Sequence, residues 1–194
     1  MKQVYVDTVK DLPIHAPKPQ GKSVQINCFV DADHGGDKVT RRLQTGMILL
    51  GNSEPLVWYS KRQNTVESST FGTEFVALRI ATEMISFFPY MLQMSTGRTC
   101  ECFLRQRGCL SKRHICRVQV KAKHNSICFH LVREAIAAGK MVVFKVDEKE
   151  NLANLLTKSV PGHRRKFLRL IMFSEEEDKI SQLEIDGVTY SKFG

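Results

Sequence analysis

Three short apolar runs set off by turn residues, followed by one amphipathic helix, constrain this chain more than any other feature. Val24 to Val30 alternates and ends in Asp31-Ala32-Asp33 before Gly35-Gly36; Met47 to Leu50 meets the turn Gly51-Asn52-Ser53-Glu54-Pro55; Leu56 to Tyr59 follows. Strands joined by turns this short form an antiparallel meander. Ser68-Ser69-Thr70 then offers hydroxyl caps for a helix over 70–88, where Phe71, Phe75, Leu78 and Ile85 recur at helical spacing and which Pro89 should end or kink. Downstream, Ser126 to Ala138 reads as a helix closed by Gly139. Met141 to Val146 reads as a strand, Asn151 to Lys158 as a short helix, and Arg164 to Phe173 as a basic helix. This order predicts an α/β (α+β mixed) domain around one mixed sheet.

Composition narrows the partners. The chain has 194 residues, 42% hydrophobic, and 29 Lys and Arg against 20 Asp and Glu, a net charge of +9 that favours anions such as nucleic acid. The excess lies late: residues 96–118 carry +5, 119–173 carry +7, and 174–194 carry −4. The N-terminus has no signal-peptide core and no run reaches the ~20 apolar residues of a membrane span, so a soluble, intracellular protein with no membrane partner is expected. Four of the six cysteines, Cys100, Cys102, Cys109 and Cys116, cluster without the paired C-x2-C spacing of structural zinc, so free thiols are expected. Residues 8–22, rich in proline, read as an extended linker, and the acidic tail from Glu175 has too little apolar content to pack and is expected to be disordered.

Two positions could carry chemistry. Asp31 and Asp33, two apart at a strand end, point to one face, where they either bind a hard cation or simply cap a solvated strand end. Glu74 has Phe71 and Leu78 at i−3 and i+4, which places a carboxylate on the apolar stripe of its helix or at that stripe's edge. Together they suggest two-metal phosphodiester chemistry, which needs several carboxylates converging on ions roughly 3.5–4 Å apart.

Longer motifs sharpen this. Cys28-Phe29-Val30-Asp31-Ala32-Asp33-His34-Gly35-Gly36-Asp37, Arg41-Arg42, Thr45-Gly46, Trp58-Tyr59-Ser60-Lys61-Arg62-Gln63, Glu67-Ser68-Ser69-Thr70 and Thr73-Glu74-Phe75-Val76-Ala77-Leu78 occur in that order. Lys123-His124-Asn125-Ser126 and Asn151-Leu152-Ala153-Asn154-Leu155-Leu156-Thr157-Lys158 continue the series. The set resembles the RNase H domain of copia-type retrotransposon polyproteins, over about residues 8–95 and 119–173. The resemblance implies an RNase H-like fold, a five-stranded mixed sheet flanked by helices, over residues 23–173. It also implies an ancestral activity: cleavage of the RNA strand of RNA–DNA hybrids with two Mg2+ ions held by four acids. Asp31 and Glu74 match the first two acids, as catalytic and metal-binding residues.

The match then breaks. The third acidic motif, expected after the fourth strand, is absent from Cys100-Glu101-Cys102-Phe103-Leu104-Arg105-Gln106, and Asn154 stands at the position of the fourth acid. Residues 96–118 read as a segment translated out of the ancestral frame, or as an inserted basic, cysteine-rich loop; either reading predicts a damaged fourth strand, from which Glu101 could face the site. With two of four carboxylates missing, the Mg2+ site is expected to be weak or lost, leaving an inactive relic or a non-catalytic nucleic-acid-binding domain. Candidate phosphate contacts are Arg41, Arg42, Lys61, Arg62, Lys123 and His124, each with a plain solvated face as the alternative. Residues 1–22 fit a junction with a reverse transcriptase domain, which is expected to be absent from this chain.

Overall fold

The computed structural model describes residues 15, 18, 20–33, 43–52, 54–63, 70–106, 123–163, 165, 166 and 169, together with two two-residue strands in the tail. Strands β1 (Val24–Asp33), β2 (Gln44–Gly51) and β3 (Glu54–Arg62) form the expected antiparallel meander. Helix α1 (Thr70–Thr96) leads to β4 (Cys100–Gln106), α2 (Lys123–Ala137), β5 (Val142–Lys145) and the single turn α3 (Asn154–Thr157). The sheet order is β3-β2-β1-β4-β5, with β4 and β5 parallel to their neighbours.

The sheet buries both faces of β1 because its residues alternate between two apolar clusters. Ile26, Cys28 and Val30 face α1 and α2, where they meet Phe75, Leu78, Ile85, Phe129 and Val132. Phe29 faces the other way, against Ile48, Leu50, Leu152 and Ala153 beside α3. A strand buried on both sides reads as a nearly continuous apolar run, as β1 does.

The expected damage to the fourth strand is not found in β4. It pairs with β1 along seven positions, Val24 with Cys100 through Val30 with Gln106, and Phe103 to Gln106 pair onward to β5. Loss of motif had hidden a surviving alternation, since Cys102, Leu104 and Gln106 are buried while Glu101 is exposed, and a thiol packs as a small hydrophobe. Residues 107–122, including Cys109 and Cys116, lie outside the described residues; Cys28, Cys100 and Cys102 are free thiols.

Pro89 does not end α1, which runs 27 residues to Thr96. The helix is anchored beyond the proline: Gln93 is buried, Gly97 (φ +69°) accepts the αL conformation that closes the helix, and Gln20 donates to the Gly97 carbonyl at 2.7 Å. Gly72–Thr96 is in fact long and apolar enough to cross a membrane, contrary to the expectation above. Phe75, Leu78, Ala81 and Ile85 of this helix pack into the core, whereas Phe87, Tyr90, Met91 and Met94 are exposed. The described residues of 162–169 are helical, and in the tail Glu184–Ile185 pairs with Val188–Thr189; the rest of 174–194 and nearly all of 1–19 lie outside the described residues.

Candidate functional site

β1 delivers Asp31 to the end of the sheet on the α3 face, where its side chain is 4% exposed. Three local features bring α3 onto it. Asn151 is fully buried; its amide donates to the Val30 carbonyl at 2.9 Å and its Oδ1 accepts from the Ala153 N–H at 3.1 Å. Gly46 lies opposite Asp31 on β2, and a Cβ there would stand 2.7 Å from Thr157 Cγ2 and 2.9 Å from the Ala153 carbonyl, so only glycine permits this approach. The Leu156 carbonyl, left open at the end of the turn, accepts from Gln44 Nε2 at 3.0 Å and Ser60 Oγ at 2.9 Å.

The seated turn places two donors on the carboxylate. Thr157 Oγ1 donates to Asp31 Oδ2, and the Lys158 ammonium lies 3.2 Å from Oδ2 and 3.4 Å from Oδ1. The same ammonium donates to Asn154 Oδ1 at 3.2 Å and sits 3.6 Å from Glu148 Oε1. Asn154, 2% exposed, turns its Nδ2 to the Glu148 carbonyl at 2.6 Å. Lys158 therefore holds a positive charge between the first expected acid and the amide that stands for the fourth. Asn154 and Lys158 are one helical turn apart, the i,i+4 spacing that brings side chains together.

Glu74 arrives from the opposite side. It is half-buried in the second turn of α1, the helix on the other face of the sheet, and its backbone carbonyl accepts from Gln106 Nε2 at 3.1 Å. Gln106 is paired with Val30, so the ends of β1 and β4 and the start of α1 meet here. Its Oε1 is buried with no hydrogen-bond partner among the described residues. Glu101 pairs with Gln25 near the start of β1, about 20 Å of strand from the level of Asp31, and takes no part in the site. Asp33 is half-buried opposite Gln44 at the end of β1.

A pair of Mg2+ ions does not fit this donor set. Mg2+ takes octahedral oxygen coordination at about 2.0–2.1 Å, anchored by one or two carboxylates with water or phosphate completing it; here both oxygens of the anchoring Asp31 already face the Lys158 ammonium, and Asn154 presents its one oxygen to the same lysine. Among the described residues no three His, Cys, Asp or Glu converge as a metal site.

Of the expected phosphate contacts, Lys61 and Arg62 are exposed at the end of β3. Arg41 and Arg42 lie outside the described residues; Lys123 and His124 open α2, with side chains outside them. Residues that the sequence reading missed are Gly46, Asn151, Thr157 and Lys158. All four stood inside the quoted motifs with no role assigned to them, and the i,i+4 spacing from Asn154 was the available signal for Lys158.

Known proteins resemble the chain in sequence or in fold. No family model matches the chain. The retrovirus-related Pol polyprotein from transposon TNT 1-94 of Nicotiana tabacum is 29% identical over 151 residues, covering 76% of this chain and 11% of that protein. The polyprotein from transposon RE1 of Arabidopsis thaliana is 24% identical over 142 residues, or 72% and 10%. Among solved structures, RNase H1 from Halobacterium salinarum superposes with a TM-score of 0.51 at 14% identity, covering 69% of this chain and 94% of that one. The N-terminal RNase H domain of a Mycobacterium tuberculosis protein gives 0.52 at 13% identity, covering 70% and 91%. The chain is an RNase H-like domain related to retrotransposon Pol polyproteins. This RNase H-like domain spans only about a tenth of the length of the polyproteins it matches.

Proposed function

We propose that the chain binds RNA–DNA hybrid or a related nucleic acid without cleaving it by two-metal hydrolysis. The observation that carries the reading is the Lys158 ammonium bound to Asp31 and Asn154. Two-metal cleavage uses the ions to activate a water and to stabilise the leaving oxygen, and without them the rate falls by orders of magnitude. Binding has simpler requirements, since phosphate contacts need only positive charge and donors. The kinship with Pol polyproteins, the +9 charge and the exposed Lys61 and Arg62 support nucleic acid as the partner.

Fluorescence anisotropy of a labelled RNA–DNA hybrid in EDTA, alongside a cleavage gel in Mg2+, tests both halves. Expected are saturable binding that weakens steeply with salt, and an intact RNA strand. Turnover in Mg2+ that disappears in Asp31→Asn would refute the non-catalytic half, and absence of binding in low salt would refute the other.

A further inference from the structure

Strand β3 is an edge of the sheet, paired on one side to β2 and on the other to no strand among the described residues. One hydrogen bond tells which of its backbone groups face outward. The Gln63 N–H donates to the Leu43 carbonyl at 2.6 Å, one step beyond the Gln44–Arg62 pair. In an antiparallel pair the inward groups fall on alternate residues. Val57, Tyr59 and Lys61 therefore turn their N–H and C=O to β2, and Trp58, Ser60 and Arg62 turn theirs outward.

Natural edge strands are blunted by charges, proline or a bulge. β3 has these only at its ends: Pro55 and the register shift opposite Leu49–Leu50 at the start, Lys61 and Arg62 at the finish. Its centre, Leu56-Val57-Trp58-Tyr59, has high β-propensity and no charge. Trp58 is 65% exposed and Leu56 45% exposed. Trp58 stands on the α3 face, since it pairs with Ile48 of the cluster beside α3, and Ser60, two residues on, donates to the Leu156 carbonyl. The strand is also self-complementary. Turned end for end about Trp58, it sets Trp58 opposite Trp58, Leu56 opposite Ser60 and Val57 opposite Tyr59. The same turn brings the acidic start, Glu54, to the level of the basic end, Lys61 and Arg62, and all three are exposed.

We propose that β3 pairs edge to edge with β3 of a second copy of this chain, antiparallel about a two-fold axis at Trp58. Such an isologous contact closes on two copies and joins the two sheets into one. The outward N–H and C=O of Trp58 form the hydrogen-bonded pair at the axis, and a slip by one residue would set outward groups against inward ones. On the α3 face each indole packs on the other, with Leu56 of the second copy in diagonal reach. At both limits of the contact Glu54 of one copy lies beside Lys61 and Arg62 of the other, which fixes direction and register. A strand with another charge order would gain the hydrogen bonds and the apolar cover but lose that match, so the second copy is the occupant the edge fits. This inference does not depend on the nucleic-acid reading above.

Sedimentation velocity of the full chain, freed of nucleic acid, at loadings from about 10 µM to about 1 mM covers the weak association that a contact of less than standard area supports. Emission from the single tryptophan is followed in parallel. Expected are a monomer–dimer equilibrium and an emission maximum that moves to shorter wavelength as the dimer fills. Trp58→Thr, at a largely exposed position, should weaken association by about tenfold or more with an unchanged melting temperature. Glu54→Lys and the double variant Lys61→Glu/Arg62→Glu should each weaken self-association by about tenfold or more, because like charges then meet at both ends. An equimolar mixture of these two variants should associate as well as the parent, since each presents the opposite charge to the other; that recovery also shows both to be folded. A monomer at every loading, with constant emission, would overturn the proposal and leave the edge to a strand of another protein. A dimer indifferent to Trp58→Thr would overturn the surface. Charge variants that melt at the parental temperature and stay monomeric when mixed would overturn the register.

Discussion

Gly46→Ala is the perturbation whose outcome the geometry determines most closely. The added methyl would lie 2.7 Å from Thr157 Cγ2, 2.9 Å from the Ala153 carbonyl and 2.9 Å from Leu156 Cβ, against about 3.5–4.0 Å for a normal contact. Two of those atoms are fixed to the backbone of α3, so no rotamer change relieves them and the turn must shift by on the order of 1 Å. Overpacking of this kind costs about 1–3 kcal/mol. Gly46 has no positive φ among the special backbone positions, so alanine also gains about 0.4–1 kcal/mol from a stiffer unfolded chain. The clash outweighs that gain, and net destabilisation of about 1–2 kcal/mol is expected. At a urea slope near ~2 kcal/mol/M the unfolding midpoint falls by about 0.5–1 M. Gly162→Ala, with nothing within 4 Å of its added methyl, is the control, and should stay within about 0.5 kcal/mol of the parent. If Gly46→Ala unfolds at the parental midpoint, α3 is not seated against β2 and the contacts of Lys158 to Asp31 lose their basis.

Two further outcomes follow from the same structure. Asn151→Ala strands the Val30 carbonyl and the Ala153 N–H in a fully buried position; a loss of about 2–4 kcal/mol is expected by urea unfolding, and an unchanged midpoint would contradict the staple. A hydrogen bond from Cys102, 3.9 Å away, lowers the pKa of half-buried Cys100, partly opposed by burial, whereas Cys102 is raised by that same bond and by burial, and Cys28 by burial alone. The thiolate is the nucleophile, so as pH rises Cys100 should be alkylated by iodoacetamide before Cys28 and Cys102 in peptide maps, and Cys102→Ala should slow it. Equal rates for the three would refute this.

Much of the fold was legible because period and punctuation agree. Val24–Val30, Met47–Leu50 and Leu56–Tyr59 each lie inside an observed strand, and Gly139, at φ +70°, closes α2 as its position suggested. β4 was misjudged because its motif was weighed and its alternation was not; Cys102 and Leu104 are enough to fill the core. Of the two outcomes expected at Pro89, an end or a kink, the end does not occur, because Gln93 and the Gly97 closure hold the far end of α1 by tertiary contacts. At the site, Asp31 was found from residue type and placement, and Asn154 only through the resemblance. The role of Lys158 was not, because which cation turns inward depends on how closely α3 approaches, and that is set by Gly46 on a strand more than a hundred residues away.

The central claim is that an internal ammonium closes the acidic site to divalent ions, and the most direct measurement is the melting temperature of the isolated chain as Mg2+ is raised to 10 mM at constant ionic strength. A site with a dissociation constant near ~1 mM would stabilise the fold by about 1.4 kcal/mol, raising the transition by about 3–6 °C. The account predicts no shift. A shift of that size in the parent, absent from Asp31→Asn, would contradict it.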